Sequence, residues 1–137
     1  MKFGNGDQDA IIVDNYDWMK NYSHLDFLAQ YGLDFTIPRM LSMESVKKRL
    51  ENGMTFLEFN YMTFQAVDFL TLYREHNCVL QLCGADQWGN IVAGVELQRK
   101  LNFQNGTNVE LIGATNPLLL TPEGKKMGKT ERGAIWI

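Results

Sequence analysis

The hydrophobic pattern of this chain changes character near residue 55. Before it, apolar positions come in short groups. Ala10-Ile11-Ile12-Val13 is stopped by Asp14-Asn15 and predicts a buried strand or its end, after a loose Gly/Asn/Asp-rich lead-in over residues 1–9. From Ser23 to Tyr31, Leu25, Phe27, Leu28 and Tyr31 recur at helical spacing, and Gly32 supplies a stop. A loop through Thr36-Ile37-Pro38 is expected next. Ser42 is then the expected cap of a second helix with Met43, Val46 and Leu50 inward, ended by Gly53.

After residue 55 the segments lengthen. Thr55-Phe56-Leu57-Glu58 has capping-box spacing and predicts a helix to about Glu75, broken at Asn77. Val79 to Cys83 reads as a fully buried strand and Gly84 to Gln87 as a turn. Trp88 to Leu101 reads as a helix with Ile91, Val95 and Leu97 inward. Val109 to Ile112 is the next expected strand, Pro117 to Leu120 an extended apolar piece, and Thr121 to Thr130 a Gly/Lys loop. Helix and strand alternate, which predicts an α/β fold with a parallel sheet. Repeats and low-complexity segments are absent from the sequence.

Composition narrows the class. A length of 137 residues suits one domain, and 45% apolar with 12% aromatic residues can build a core. Thirteen Lys+Arg against 16 Asp+Glu leave a net charge of -3, which argues against nucleic-acid binding by bulk positive charge. Apolar runs are far shorter than the ~20 residues of a membrane span. The N-terminus shows no apolar signal region, and the apolar ending Gly133-Ala134-Ile135-Trp136-Ile137 predicts that more chain follows. Cys78 and Cys83 fit neither a CxxC nor a zinc spacing, and read as reduced core cysteines of a cytoplasmic protein.

Three features carry candidate chemistry. The helix from Thr55 is apolar on nearly every side, which predicts burial all round, yet Tyr61, Gln65 and Asp68 stand on it at i, i+4 and i+7. At ~100° per residue they share one stripe. That stripe is either an internal hydrogen-bond network or the wall of a polar cavity. The second feature is Gly84-Ala85-Asp86-Gln87-Trp88-Gly89-Asn90 at the carboxyl end of a strand, where ligands collect in parallel sheets. It is either a plain turn capped by Asp86 or a site, and Gln81 at a core position of the strand favours a site. The third is Gly124-Lys125-Lys126-Met127-Gly128-Lys129-Thr130. Its lysines can engage phosphate oxygens, or simply form a solvated turn. It is not a P-loop, because Gly124 and Gly128 are too close together. Lys47-Lys48-Arg49 reads as a solvated face or an RNA-backbone contact. Neither His24 nor His76 has a metal-ligand partner at usable spacing.

Taken in order, Tyr61-Met62-Thr63-Phe64-Gln65-Ala66-Val67-Asp68-Phe69, Gly84 to Asn90, and Lys126-Met127-Gly128-Lys129-Thr130 resemble the bacterial-type tyrosyl-tRNA synthetases. The likeness runs from about Asp14 to Ile137. It implies a partial, Rossmann-like nucleotide-binding catalytic domain, with residues 14–54 as the connecting insertion and dimer region, and 55–137 as the second half of the fold. It implies that Tyr61 and Gln65 hold the α-ammonium of tyrosine, with Asp68, Gln81 and Gln87 in the same pocket. It places Gly84, Asp86, Leu118 and Leu119 around ATP, and Lys126, Lys129 and Thr130 on the pyrophosphate. ATP with Mg2+, tyrosine, tRNA(Tyr) and a second copy of the chain are the implied partners, with no metal site of the protein's own. The family's His-(Ile/Leu)-Gly-His turn has no counterpart here. A tryptophanyl-type enzyme and a non-catalytic remnant that keeps the dimer surface are the alternatives; the Tyr61/Gln65/Asp68 stripe favours tyrosine.

Overall fold

A computed structural model describes residues 2–4, 6–118, 120 and 124. The chain divides into two compact units, Met1–Leu33 and Asp34–Ile137. In the first, helices α1 (Tyr16–Met19) and α2 (His24–Tyr31) follow an irregular lead-in. Ser23 caps α2 by accepting the Asp26 N–H at 3.1 Å. The apolar face of α2 is narrower than its spacing suggests: Phe27 and Tyr31 are buried, whereas Leu25 is exposed. Tyr22, Phe27 and Tyr31 form an aromatic cluster with centroids 5.6–6.0 Å apart, and the Tyr31 hydroxyl lies 3.2 Å from that of Tyr22. The strand expected at Ala10–Val13 does not form. Ala10 makes only an isolated parallel bridge to Phe3, and Ile11 and Ile12 are exposed. Four apolar residues without a continuous partner strand have no ladder to join.

The second unit begins with two short helices, α3 (Ile37–Ser42) and α4 (Glu44–Leu50). The first occupies the expected loop, because Pro38 sits in the first turn, where its missing N–H costs nothing. Ser42 consequently ends a helix rather than capping one. Its hydroxyl donates to the Arg39 carbonyl at 2.7 Å, and Met43 precedes α4 without a side-chain cap. Met43 and Val46 are buried as expected, but Leu50 is exposed. Lys47, Lys48 and Arg49 lie on the wet side.

The core is the contact between two long helices, α5 (Phe56–His76) and α6 (Trp88–Asn105). Thr55 opens α5 with a complete capping box: its hydroxyl accepts the Glu58 N–H at 3.2 Å, and its own N–H donates to Glu58 Oε2 at 2.8 Å. Asn77 closes it in the left-handed conformation at φ 53°. Ala66, Val67, Phe69 and Leu70 of α5 and Ile91, Ala93 and Leu97 of α6 are all essentially out of solvent. Gly94 lets the two helices approach, since a Cβ there would lie 3.0 Å from Phe69 Cδ1 and 3.5 Å from the Ala66 Cα. The α5 helix is not buried all round. Phe56, Leu57 and Tyr61 are exposed, because the α6 contact begins only beyond them.

Strands β1 (Leu80–Gly84) and β2 (Ile112–Asn116) pair in parallel, with Leu80 opposite Ile112 and Gly84 opposite Asn116. The α6 helix supplies the crossover such a pair requires. Ile91 packs beneath Gly113, where an added Cβ would collide with Ile91 Cγ2. Leu80, Leu82 and Ile112 are exposed, so β1 is not the fully buried strand its composition predicts. Among the described residues, α6 is the helix against the sheet, and it covers one face.

The second strand starts three residues later than expected, and Asn102 explains the shift. Its amide grips Val109 on both sides, donating to the carbonyl at 2.7 Å and accepting the N–H at 3.1 Å. It also accepts from Thr107 Oγ1 at 2.8 Å and Gln98 Nε2 at 2.9 Å. Val109 therefore spends its backbone groups on α6, and the ladder begins at Ile112. Asn102→Ala is expected to destabilise the chain by about 1–3 kcal/mol, since it strands several part-buried partners. Urea unfolding checks this; a loss below about 0.5 kcal/mol would show that water replaces the clamp.

The Glu58 carboxyl is held below its ordinary pKa by the hydrogen bonds from the Thr55 side chain and then its backbone N–H. A carboxyl with a lowered folded-state pKa stabilises the fold above its unfolded value, and that contribution fades as pH falls through the folded value. The cap should therefore weaken on acidification from about pH 4.3 downward. Unfolding midpoints of Glu58→Gln and the parent chain, followed across that range, should converge as pH drops; profiles that stay parallel would dismiss the linkage.

Candidate functional site

Three local devices place the candidate residues of α5, β1 and the turn that follows β1. The 3.6-residue repeat of α5 puts Tyr61, Gln65 and Asp68 on one face. The extended backbone of β1 aims Gln81 toward α6. A single 3-10 turn, Ala85–Gln87, then swings the chain from strand to helix and sets Asp86 and Gln87 at the carboxyl end of the sheet.

Tyr61, Asp86 and Gln87 line a cavity of about 340 Å³, with Arg49, Glu58 and Asn90 among its other walls. Beside it runs an unbroken series of side-chain hydrogen bonds. Asn90 Nδ2 donates to Gln65 Oε1 at 3.0 Å and to Gln87 Oε1 at 2.9 Å, and Gln87 Nε2 donates to Asp86 Oδ2 at 3.1 Å. The two alternatives for the polar stripe thus divide by residue. Gln65 enters a network, while Tyr61 faces the cavity. Asp68 is half-buried one helical turn further on.

Gly84, Asp86 and Leu118 come together as well. A Cβ on Gly84 would stand 2.8 Å from Asp86 Oδ1 and 3.2 Å from Leu118 Cδ2, so glycine leaves the carboxylate room to sit where it does. The Gln81 Oε1 atom is buried and has no protein hydrogen-bond partner. Such an oxygen costs about 1–3 kcal/mol unless something donates to it. Cys78 and Cys83 are free thiols and half-buried rather than in the core. Burial, and secondarily the charge of Asp86, push the Cys83 thiol up, so it stays protonated at neutral pH.

Leu119, Lys126, Lys129 and Thr130 lie outside the described residues. Among those described, no group of three His, Cys, Asp or Glu side chains could hold a metal ion, and no helix is long and apolar enough to cross a membrane. The residue that sequence reasoning passed over is Asn90. Its position three after Gln87 at a helix start was the available signal.

The family model for tRNA synthetases class I (W and Y) matches residues 2–137. The chain belongs to that family. A tyrosine–tRNA ligase from Caulobacter vibrioides is 53% identical over 139 residues, an alignment that takes in 100% of this chain and 32% of the relative. One from Rickettsia bellii is 51% identical, with 33% of its length covered. The chain therefore spans about a third of the length of the relatives it matches. Among solved structures, a C-terminally truncated mitochondrial tyrosyl-tRNA synthetase from Coccidioides posadasii superposes with a TM-score of 0.71 and 28% identity, over 82% of this chain and 34% of that one. The corresponding protein from Aspergillus nidulans gives a TM-score of 0.65 and 33% identity. Parallel strands joined by a helix are thus part of a class I synthetase's Rossmann-like domain.

Proposed function

We propose that these residues form the tyrosine pocket and part of the ATP site of a tyrosine–tRNA ligase, the activity being that of a full-length enzyme of which this chain would make up a third. The observation that carries the reading is the continuous Gln65–Asn90–Gln87–Asp86 series beside the cavity, which joins two sequence-distant parts of the resemblance into one surface.

In that reaction the tyrosine carboxylate attacks the α-phosphorus of ATP, giving tyrosyl-adenylate and pyrophosphate. A terminal ribose hydroxyl of tRNA(Tyr) then attacks the tyrosyl carbonyl, forming the ester and releasing AMP. No protein nucleophile is required, so catalysis rests on positioning and on stabilising charge as it develops. Tyr61 and Gln65 would accept hydrogen bonds from the α-ammonium, and Asp68, Gln81 and Gln87 would line the amino-acid pocket. Asp86 would accept from the ATP ribose, with Gly84 and Leu118 beside the nucleotide and Leu119 next to it. Lys126, Lys129 and Thr130 would engage the leaving pyrophosphate. Mg2+ would arrive on the ATP phosphates, neutralising part of their charge, because hard oxygen ligands suit it. We infer a cytoplasmic enzyme that acts as a homodimer through the 14–54 region.

The deciding experiment is tyrosine-dependent ATP–pyrophosphate exchange on the full-length ligase. Asp68→Ala should weaken tyrosine binding by about 1–3 kcal/mol, as expected for a lost buried hydrogen-bond partner. Equilibrium dialysis that returns an unchanged affinity would remove Asp68 from the pocket. Absence of tyrosine-dependent exchange in the unsubstituted ligase would overturn the reading as a whole.

A further inference from the structure

The ligase reading leaves one residue of the network without a role. Asn90 stands on the first turn of α6, where its amide meets both α5 and the 3-10 turn. Its two N–H groups are committed to two carbonyl oxygens, at 3.0 Å on Gln65 and 2.9 Å on Gln87. An amide side chain has a donor end and an acceptor end of nearly equal shape, so a lone glutamine can turn either one toward a ligand. Asn90 removes that freedom twice. Each glutamine oxygen is held toward Nδ2 with one lone pair used, and the Gln87 amide nitrogen donates one of its two N–H groups to Asp86 Oδ2 at 3.1 Å.

We propose that Asn90 is a positioning residue that sets the amide orientation of Gln65 and Gln87 together, and so ties the amino-acid side of the pocket to the Asp86 side. The inference rests on the tyrosine-ligase reading above. It follows that Gln65 offers its second oxygen lone pair to a cationic group, as an α-ammonium needs, without an entropic cost of choosing between two amide orientations on binding. It also follows that movement of Asp86 on ribose binding is felt at Gln65 through three hydrogen bonds in series. Asn90 itself need touch neither substrate.

Two variants test this in the full-length ligase. Asn90→Ala deletes the shared donor. Asn90→Asp keeps the shape but sets an acceptor between two acceptors, which drives both glutamines to turn their N–H groups inward. Asn90→Ala should raise the tyrosine KM in pyrophosphate exchange by about ten-fold, the size of one or two net hydrogen bonds, with kcat changed by less than about three-fold. Asn90→Asp should raise it further. In a Gln65→Ala background the same Asn90→Ala change should add less than about two-fold, because the route through Gln65 is already gone. A general loss of stability would instead lower kcat and act equally in both backgrounds. On the chain itself, without ligand, Asn90→Ala should move the side-chain amide NMR signals of Gln65 and Gln87 together. An unchanged tyrosine KM, equal effects in the two backgrounds, or unmoved glutamine signals would each overturn the assignment to Asn90. No exchange in the unsubstituted enzyme would instead sink the ligase reading on which it rests.

Discussion

Lys129→Ala in the full-length ligase is expected to slow tyrosine-dependent pyrophosphate exchange by about 10²–10³-fold while leaving tyrosine binding almost unchanged. The magnitude is that of removing one preorganised group from developing charge in a transition state. The selectivity follows from where the charge appears. Tyrosine binds before any bond to phosphorus changes, so a cation serving the leaving pyrophosphate contributes to the barrier and not to the first binding step. Exchange kinetics and equilibrium dialysis separate the two quantities. Equal losses in both would assign Lys129 a general structural role and take the pyrophosphate contact away from it.

The second large effect concerns the fold that carries the pocket. Phe69 is fully out of solvent at the α5–α6 contact, with its ring against the space that Gly94 leaves open. Phe69→Ala should cost about 3–5 kcal/mol, through lost transfer energy and the cavity left behind. Domains of this size are stable by only about 5–15 kcal/mol, so the variant should be partly unfolded at modest urea concentrations. Phe56→Ala, which removes an equally large ring from an exposed position on the same helix, should stay within about 0.5 kcal/mol. Parallel urea titrations of the two variants check the contrast. Similar midpoints would mean that the α5–α6 seam is not the stabilising core. Because Gln65 and Asn90 stand on these two helices, loosening the seam should also blur their 3.0 Å contact.

How much was legible in the sequence depended on how local the cause was. The long α5 helix was readable because Thr55 and Glu58 cap it within one turn, and Asn77 accepts the left-handed turn that ends it. The α3 helix is not legible in the sequence, because Pro38 signals a loop and a first helical turn equally well. The strand at Ala10–Val13 was overread because an apolar run says nothing about whether a neighbouring strand is present to pair with it. The composition around Val109 predicts a strand, whereas its backbone is taken by Asn102, seven residues earlier.

The candidate site divides along the same line. By itself the sequence determined which polar residues stand on an apolar helix, which of them follow a strand at its carboxyl end, and the order of three motifs that marks the synthetase family. Those are properties of spacing, and the helical and strand repeats convert spacing into direction without further information. Only the tertiary structure decided that Gln65 meets Asn90 across 25 positions, that Gly84 leaves room for Asp86 beside Leu118, and that Tyr61 opens on a cavity instead of a packed interior. Hydrogen bonds reach about 3 Å and require alignment. Such contacts depend on how two helices cross, and the crossing is set by the summed packing of Ala66, Phe69, Ile91 and Gly94 rather than by any one residue.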